Sequence, residues 1–296
     1  DSCDDCSNGS YDTDSECNLD VDIALHEGAN LISFYALPDD VSIASIFSQL
    51  ANGSGVMGEG VGAIKVDGTW IGSLTDVSQD DGYWVKISED ATLSLTDAEP
   101  VNYDADGEVV YSIHYGNNLI SYSFQTAQSL GDALGEDAAY VYAIAGEGSA
   151  ALNIGTELGG EDGWAGSLTA FEGSKGYWLV ATADFEFSFN GVANGLTRTK
   201  PVILMEDFLK RKSTTPPEYS YGQSDQQAFF FVQNATIRGE ALEVDDIVIA
   251  YNGDVVVGSQ FWNGELTDVP AIGVDPDAKD KLAGYAEAGD KISFKV

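Results

Sequence analysis

Two stretches of this sequence are one stretch written twice. IALHEGANLISFYAL (23–37) and YSIHYGNNLISYSF (111–124) align without gaps, which sets His26 against His114, Gly28 against Gly116, Asn30 against Asn118, and Leu31, Ile32 and Ser33 against Leu119, Ile120 and Ser121. The offset of 88 holds through Gly58-Glu59-Gly60 and Gly146-Glu147-Gly148. It becomes 94 at Trp70-Ile71-Gly72-Ser73-Leu74 against Trp164-Ala165-Gly166-Ser167-Leu168, and stays there for Gly82-Tyr83-Trp84 against Gly176-Tyr177-Trp178. The six added residues fall between Leu152 and Asp162, an insertion of the kind a surface loop accepts. Whatever one copy folds into, the other must also fold into, so the chain contains two tandem homologous modules.

Each copy predicts a mostly β module with one short covering helix. A strand around LISFY or LISYS leads to Ile43, Ile46, Phe47 and Leu50, spaced i, i+3, i+4, i+7 behind a helix cap at Asp39 or Asp40. Leu130, Ala133 and Leu134 are the shorter version in the second copy. Asp67-Gly68 marks a hairpin turn between AIKV and TWIGSL; GYWVKI or GYWLVA and a last alternating strand, TLSL or FEFSF, complete the unit.

Beyond the repeats, NGVANGLTRTK, a short amphipathic LMEDFLKRK and the polar STTPPEYSYGQSDQQ read as a junction. AFFFV, DIVIAY and DVVVGS then read as apolar strands, with Asn252-Gly253 as a hairpin signal, Asn263-Gly264 as another turn and DKISFKV as a closing strand. The expected fold is mainly β and multidomain. It comprises an acidic, Cys- and Asp-rich spacer (1–22), a first module (23–97), a second module (98–190), a linker with a short helix (191–225) and a C-terminal antiparallel β-sandwich (226–296).

Charge narrows the partners. The formal net charge is −36, and residues 1–197 hold 33 acids against three bases, Lys65, Lys86 and Lys175, whereas residues 198–296 hold 16 against 10. Such a surface repels phosphate backbones and anionic lipid headgroups, which argues against nucleic acid and membrane surfaces and favours divalent cations. No apolar run approaches the roughly 18 residues that span a bilayer.

The candidate chemistry is sparse. The two histidines occupy equivalent repeat positions, which suits a turn-satisfying role better than a Ser-His-Asp or Cys-His mechanism. Gly53-Ser54-Gly55-Val56-Met57-Gly58 matches GxGxxG formally, yet it follows a helix pattern, opens none, and is lost in the second copy, so it reads as a flexible loop. Trp70, Trp84, Trp164 and Trp178 sit at matched positions within apolar strands and read as core, whereas Trp262, beside the Asn263-Gly264 turn, is the candidate exposed aromatic. Cys3, Cys6 and Cys17 are three thiols with no nearby histidine, one short of a zinc site; they admit one disulfide at most among themselves. Asp12, Asp14, Glu16, Asp104, Asp106, Glu108, Asp275, Asp277 and Asp280 offer hard oxygen ligands that suit Ca²⁺, without the EF-hand spacing. No organic cofactor is implied.

The run GANLISFYALPDDVSIASIF, with VMGEGVGA, WIGSL and GYWVKIS after it, resembles a repeat module of large secreted proteins of marine bacteria and of structural proteins of marine phages, including cyanophages. The C-terminal stretch from QSDQQAFFFV to AGYAEAGDKISFKV resembles a companion domain that follows such repeats, and CDDCSNGSYDTDSEC is similar to thrombospondin type 3-like spacers, without their regular DxDxDG repeat. The resemblance implies an extracellular, cell-surface or virion structural role.

The leading expectation is therefore a non-enzymatic subunit of an extracellular assembly, such as a filament, surface layer or phage appendage, which self-associates through its strands. The alternative is an adhesin-type module that binds glycans or another surface through Trp262 or the loops around GEG. A hydrolase is a third reading, and no carboxylate pair stands out for it.

Overall fold

The computed structural model describes residues 19–100, 109–156, 163–191, 216–244, 246–262, 264–274 and 282–296. The fold is mainly β, with antiparallel ladders and two short α-helices among the described residues. The chain divides into two compact units, Asp1–Val192 and Ala193–Val296. The Cys3, Cys6 and Cys17 triad, the nine candidate calcium ligands and the LMEDFLKRK helix all lie outside the described residues.

The first module comprises β1 (Leu19–Leu25), β2 (Gly28–Ile32), β3 (Ala36–Leu37), α1 (Ile43–Ile46), β4 (Gly55–Gly58), β5 (Val61–Val66), β6 (Thr69–Gly72), β7 (Tyr83–Ile87) and β8 (Ala91–Pro100). One sheet has the order β2-β7-β4-β5-β6 and a second the order β1-β8-β3. A single buried cluster draws Val21, Phe34, Phe47, Val56, Tyr83 and Leu93 from both sheets and the helix, which places the core between them. Along β1, Val21, Ile23 and Leu25 turn inward while Asp20 and Asp22 face solvent. Leu19 to Asp22, the last residues of the expected spacer, therefore belong to the sheet of this module.

The helix holds its expected apolar face, since Ile43, Ile46, Phe47 and Leu50 are all buried. Its cap differs from expectation. Ser42, extended at φ −62° and ψ 141°, accepts the Ser45 N–H on its Oγ, while Asp40 instead accepts the N–H of Ser42 at 3.1 Å. Asp67 (φ 50°) and Gly68 (φ 79°) form the expected two-residue turn between β5 and β6, both left-handed as a type I′ turn requires. Gly55–Gly58, read from sequence as loop, is a strand paired with both β5 and β7, and Gly53 donates its N–H to Lys65 O at 2.7 Å.

The second module repeats the plan with β9 (Tyr111–Ile113), β10 (Gly116–Ile120), β11 (Gln128–Ser129), α2 (Leu130–Leu134), β12 (Val141–Ala145), β13 (Ala150–Asn153), β14 (Trp164–Gly166), β15 (Ala170–Phe171), β16 (Tyr177–Ala181) and β17 (Phe185–Phe187). Its main sheet, β10-β16-β12-β13-β14, has the same order as that of the first module. A 3-10 turn over Gly135–Tyr140 joins α2 to β12. The core is refilled with different chemistry. Tyr111, Phe171, Phe187 and Phe189 occupy the positions of Ile23, Val77, Leu93 and Leu95, and Phe189 meets the other three rings at 4.9 to 5.1 Å.

The second unit contains β18 (Gln227–Val232), β19 (Thr236–Ile237), β20 (Glu240–Ala241), β21 (Ile247–Asn252), β22 (Val255–Phe261), β23 (Thr267–Ile272) and β24 (Ile292–Lys295). The order β22-β21-β24 forms one sheet and β18-β23 another, a sandwich-like pairing. At Gly258 a Cβ would lie 1.8 Å from Pro270 O, so only glycine lets β22 and β23 approach so closely. The hairpin between β21 and β22 is displaced by one residue from its sequence signal. Asn252 pairs with Val255, leaving Gly253 (φ 60°) and Asp254 as the loop, and Asn252 Nδ2 donates to Gly284 O, Tyr285 O and Asp290 Oδ2.

Trp262 is a correction. It is 8% exposed and packs with Val248, Val257 and Val269, and its backbone N–H donates to Asp246 O at 2.7 Å. A short polar turn nearby suggested exposure, but the indole fills the apolar interior of the second unit.

Candidate functional site

The residues that recur in both modules converge on the joint between them. In the first module, His26 in the β1–β2 turn donates its backbone N–H to Asn30 Oδ1 at 2.8 Å, and Asn30 Nδ2 returns a bond to His26 O at 2.8 Å. Its Nδ1 lies 2.8 Å from Glu27 O, which leaves Nε2 pointing outward, 2.6 Å from Glu147 Oε1 of the second module. The same glutamate accepts the Leu31 N–H on Oε2 at 3.1 Å.

The second module mirrors each contact. His114 N–H donates to Asn118 Oδ1 at 2.9 Å, His114 Nε2 lies 2.7 Å from Glu59 Oε1, and the Leu119 N–H donates to Glu59 Oε2 at 2.9 Å. Each GEG glutamate thus bridges a histidine ring and a strand amide on the opposite module. The reciprocity is that of a two-fold interface, i to j and j to i, built within one chain.

Backbone pairing completes the joint. Ile32 bridges Lys175 and Asp81 bridges Ile120, both antiparallel. Gly176 and Gly82 donate to Leu31 O and Leu119 O, each at 3.2 Å, while Ser33 and Ser121 donate to Ser174 O and Asp80 O at 3.1 and 3.0 Å. The Ser33 and Ser121 hydroxyls donate to Lys175 O and Gln79 O, each at 2.6 Å. A Cβ at Gly82 would stand 2.7 Å from Ile120 O, and one at Gly176 would stand 2.6 Å from Ile32 O. That close approach is why glycine opens both GYW motifs.

Between these polar ends lies a small apolar centre of Ala29, Leu31, Trp84 and Leu119, with Met57 and Trp178 packed against it. Of the four repeat tryptophans, Trp84 is buried here and Trp178 flanks it, whereas Trp70 and Trp164 lean on the cores of their own modules. The core reading therefore holds in a modified form, with one pair serving the joint.

The electrostatics of the two latches differ. The hydrogen bond that His26 donates to Glu147 raises the pKa of His26 above its ordinary value, against the opposing effect of burial. Burial alone would raise that of Glu147, but the His26 hydrogen bond and charge, together with the Leu31 N–H, outweigh it and hold the carboxyl below its usual range. His114 is raised as well, first by the Tyr115 carbonyl and then by Glu59. The His26–Glu147 pair is the more enclosed, with side chains 46% and 18% exposed against 57% and 40% for His114–Glu59.

Beside the joint a hollow of about 440 Å³ is lined by Val41, Val77, Asp80 and Val110 among others. Asp80 there and its chain neighbour Asp81 serve local structure, since Ser78 Oγ bonds to Asp80 and Tyr83 OH lies 3.4 Å from Asp81 Oδ2. Burial, then Asp80, raises the pKa of Asp81. Among the described residues no group of three or more His, Cys, Asp or Glu side chains is placed to hold a metal ion, and no helix is long and apolar enough to cross a membrane.

The sequence signals the joint only indirectly. The shared offset of 88 between His26 and His114 and between Glu59 and Glu147 marks both as repeat features, but their pairing across modules requires the tertiary arrangement. The loops around GEG, considered as a display surface, instead face the other module. No protein-family model matches the sequence, and neither a curated protein nor a solved structure matches it significantly.

Proposed function

We propose that this chain is a non-enzymatic building block of an extracellular assembly, a filament, surface layer or virion appendage, in which copies associate with one another. The observation that carries the reading is the use made of the repeated motifs. His, Glu, Ser and the GYW glycine hold one module to the other, and Asn braces the turn that carries each histidine, so the recurring chemistry is that of architecture. The resemblance to modules of marine bacterial surface proteins and phage structural proteins points the same way. The acidic stretches at 12–16, 104–108 and 275–280 supply oxygen ligands for Ca²⁺ in such a setting.

An adhesin-type role in glycan binding is the second reading, favoured by the solvent-facing Tyr115, Tyr140 and Tyr142 of the second module. Light scattering with negative-stain imaging of the native protein, in Ca²⁺ and then in EDTA, tests the first. Fibres or rings are expected, with partial or complete loss in EDTA. A stable monomer in both buffers refutes self-assembly and directs attention to glycan arrays.

A further inference from the structure

The joint between modules is a closed contact. Each module's face is covered by the other, so a growing assembly needs a different surface. The second module has one that the first lacks. Among the described residues, the exposed large side chains of the first module are Val61, Ile64, Val66 and Ile71, whereas those of the second are Val110, Tyr115, Tyr140 and Tyr142. The repeat alignment sets Tyr115 against Glu27, Tyr140 against Asn52 and Phe185 against Ala91, so the rings are a property of the second copy alone.

Three of these rings gather at one end of the main sheet. Gly116, Ala181 and Val141 form a row across β10, β16 and β12. Tyr115 precedes Gly116 and Tyr140 precedes Val141, so they flank Thr182 at about two strand spacings, roughly 10 Å apart along the backbone row. Tyr140 stacks on Phe185 at 5.2 Å between centroids, and its carbonyl accepts from Thr182 N and Oγ1. Tyr115, 73% exposed, donates its N–H to Asp184 Oδ1 at 2.7 Å. Exposed Glu136 lies in the turn that leads into Tyr140, exposed Asp184 adjoins Phe185, and Lys175 is the sole lysine or arginine between residues 98 and 190.

The neighbouring His114 imidazole is taken up by Glu59 across the joint, and aromatic faces beside carboxylates suit an ammonium or guanidinium group. The chain itself contains such groups in one dense tract. Residues 198–212 hold Arg198, Lys200, Lys210, Arg211 and Lys212, five of its 13 bases, with Phe208 and Leu209 adjoining the last three.

We propose that the Tyr115, Tyr140 and Asp184 end of the second module docks the basic tract 198–212 of a second copy of this chain. Rings and carboxylates on one copy meet bases on the next, a head-to-tail contact that extends into an open series of copies instead of closing on a pair. This rests on the assembly reading above and supplies its contact.

Sedimentation velocity of the full chain at about 0.05 M and about 0.5 M salt tests it, because a contact between charges weakens as the screening length shrinks. Two variants are compared with the native chain. Tyr115→Ala with Tyr140→Ala leaves every charge in place, and Lys210→Glu with Arg211→Glu and Lys212→Glu reverses the tract; Tyr115→Ser alone is a milder third, and melting curves check that each is folded. Association of the native chain is expected to weaken with salt, and each multiple variant should weaken it by about tenfold or more, the loss typical of truncating an aromatic or charged anchor. An equimolar mixture of the two multiple variants should form a dimer and nothing larger, since it has one intact surface and one intact tract.

If the native chain assembles and the tyrosine variants assemble equally well, the contact lies elsewhere, and only this proposal falls. A mixture that stays monomeric overturns docking between copies. A native chain that is monomeric in every condition removes both this proposal and the assembly reading.

Discussion

His26 and Glu147 show how one side-chain pair sets the conditions under which two modules stay joined. Because folding raises the pKa of His26, chiefly through Glu147, its protonation stabilises the joint fully below the unfolded value of 6.5 and is lost as pH rises through the folded one. Burial and, to a smaller extent, Lys175 oppose the shift at His26. The lowered pKa of Glu147 acts in the opposite sense, with stabilisation present above 4.5 and lost as pH falls through its folded value. The latch is therefore firmest between about pH 4.5 and 6.5. We predict that His26→Gln lowers unfolding free energy by about 1 kcal/mol near pH ~5.5, after allowing for solvent screening, and by less near pH ~8.5. Urea titrations at the two pH values measure this; an equal loss at both would show that proton uptake by His26 contributes nothing. At the glycines the argument is steric. Gly82→Ala and Gly176→Ala push a methyl into a carbonyl of the other module, at 2.7 and 2.6 Å, and should each cost about 1–3 kcal/mol. Amide exchange at Ser121 and Ser33, whose N–H groups bond across the joint, should speed up in the respective variants.

At the scale of elements, the two copies solve one problem with different residues. Lys65 on β5 is buried, and its Nζ donates to Ser48 O and Leu50 O, carbonyls just past α1, at 2.8 Å each. The second copy has Asn153 there, whose Nδ2 donates to Ala138 O and Val141 O at 2.8 and 3.0 Å. Both satisfy carbonyls at the exit of the helical segment, which would otherwise be shut away from water. Lys65→Met and Asn153→Leu keep much of the bulk and remove the donor, so each should cost about 1–3 kcal/mol, read from thermal denaturation. A loss below about 0.5 kcal/mol would mean that water reaches those carbonyls. Element positions were legible in the sequence wherever a periodic apolar face or a left-handed turn marked them, as at Ile43 to Leu50 and Asp67-Gly68. Features set by a single hydrogen bond were harder to place. The cap is Ser42 instead of Asp39 or Asp40, and the hairpin loop is Gly253-Asp254, because Asn252 is held in its strand by bonds to 284, 285 and 290.

At the scale of the whole molecule, two modules form one compact unit through a joint that uses backbone, side chains and a small apolar centre together. Their unfolding should be coupled. Calorimetry is expected to show one transition for both modules and a second for the C-terminal unit, and a core truncation confined to the first module, Phe47→Ala, should lower the transition of the second module as well, by about 3–5 kcal/mol of shared stability. Separate modular transitions, with the second unmoved, would show that the joint contributes little. Trp262 belongs at this scale too, since a residue beside a polar turn becomes core only when a facing strand such as β23 covers it.

The sequence alone determined the repeat, the strand-rich class of the fold, the short helices and the acidic surface, because periodicity, turn chemistry and charge are local properties of the chain. It also placed His26 with His114 and Glu59 with Glu147 as equivalent residues, but as pairs within the alignment. Only the tertiary structure decided that each histidine meets the glutamate of the other copy, that Trp84 serves the joint, that Trp262 is interior, and that the tyrosines of the second module collect at one sheet end. The physical reason is distance: His26 and Glu147 are 121 residues apart in the chain, and no local preference encodes a 2.6 Å contact made by packing one folded surface on another.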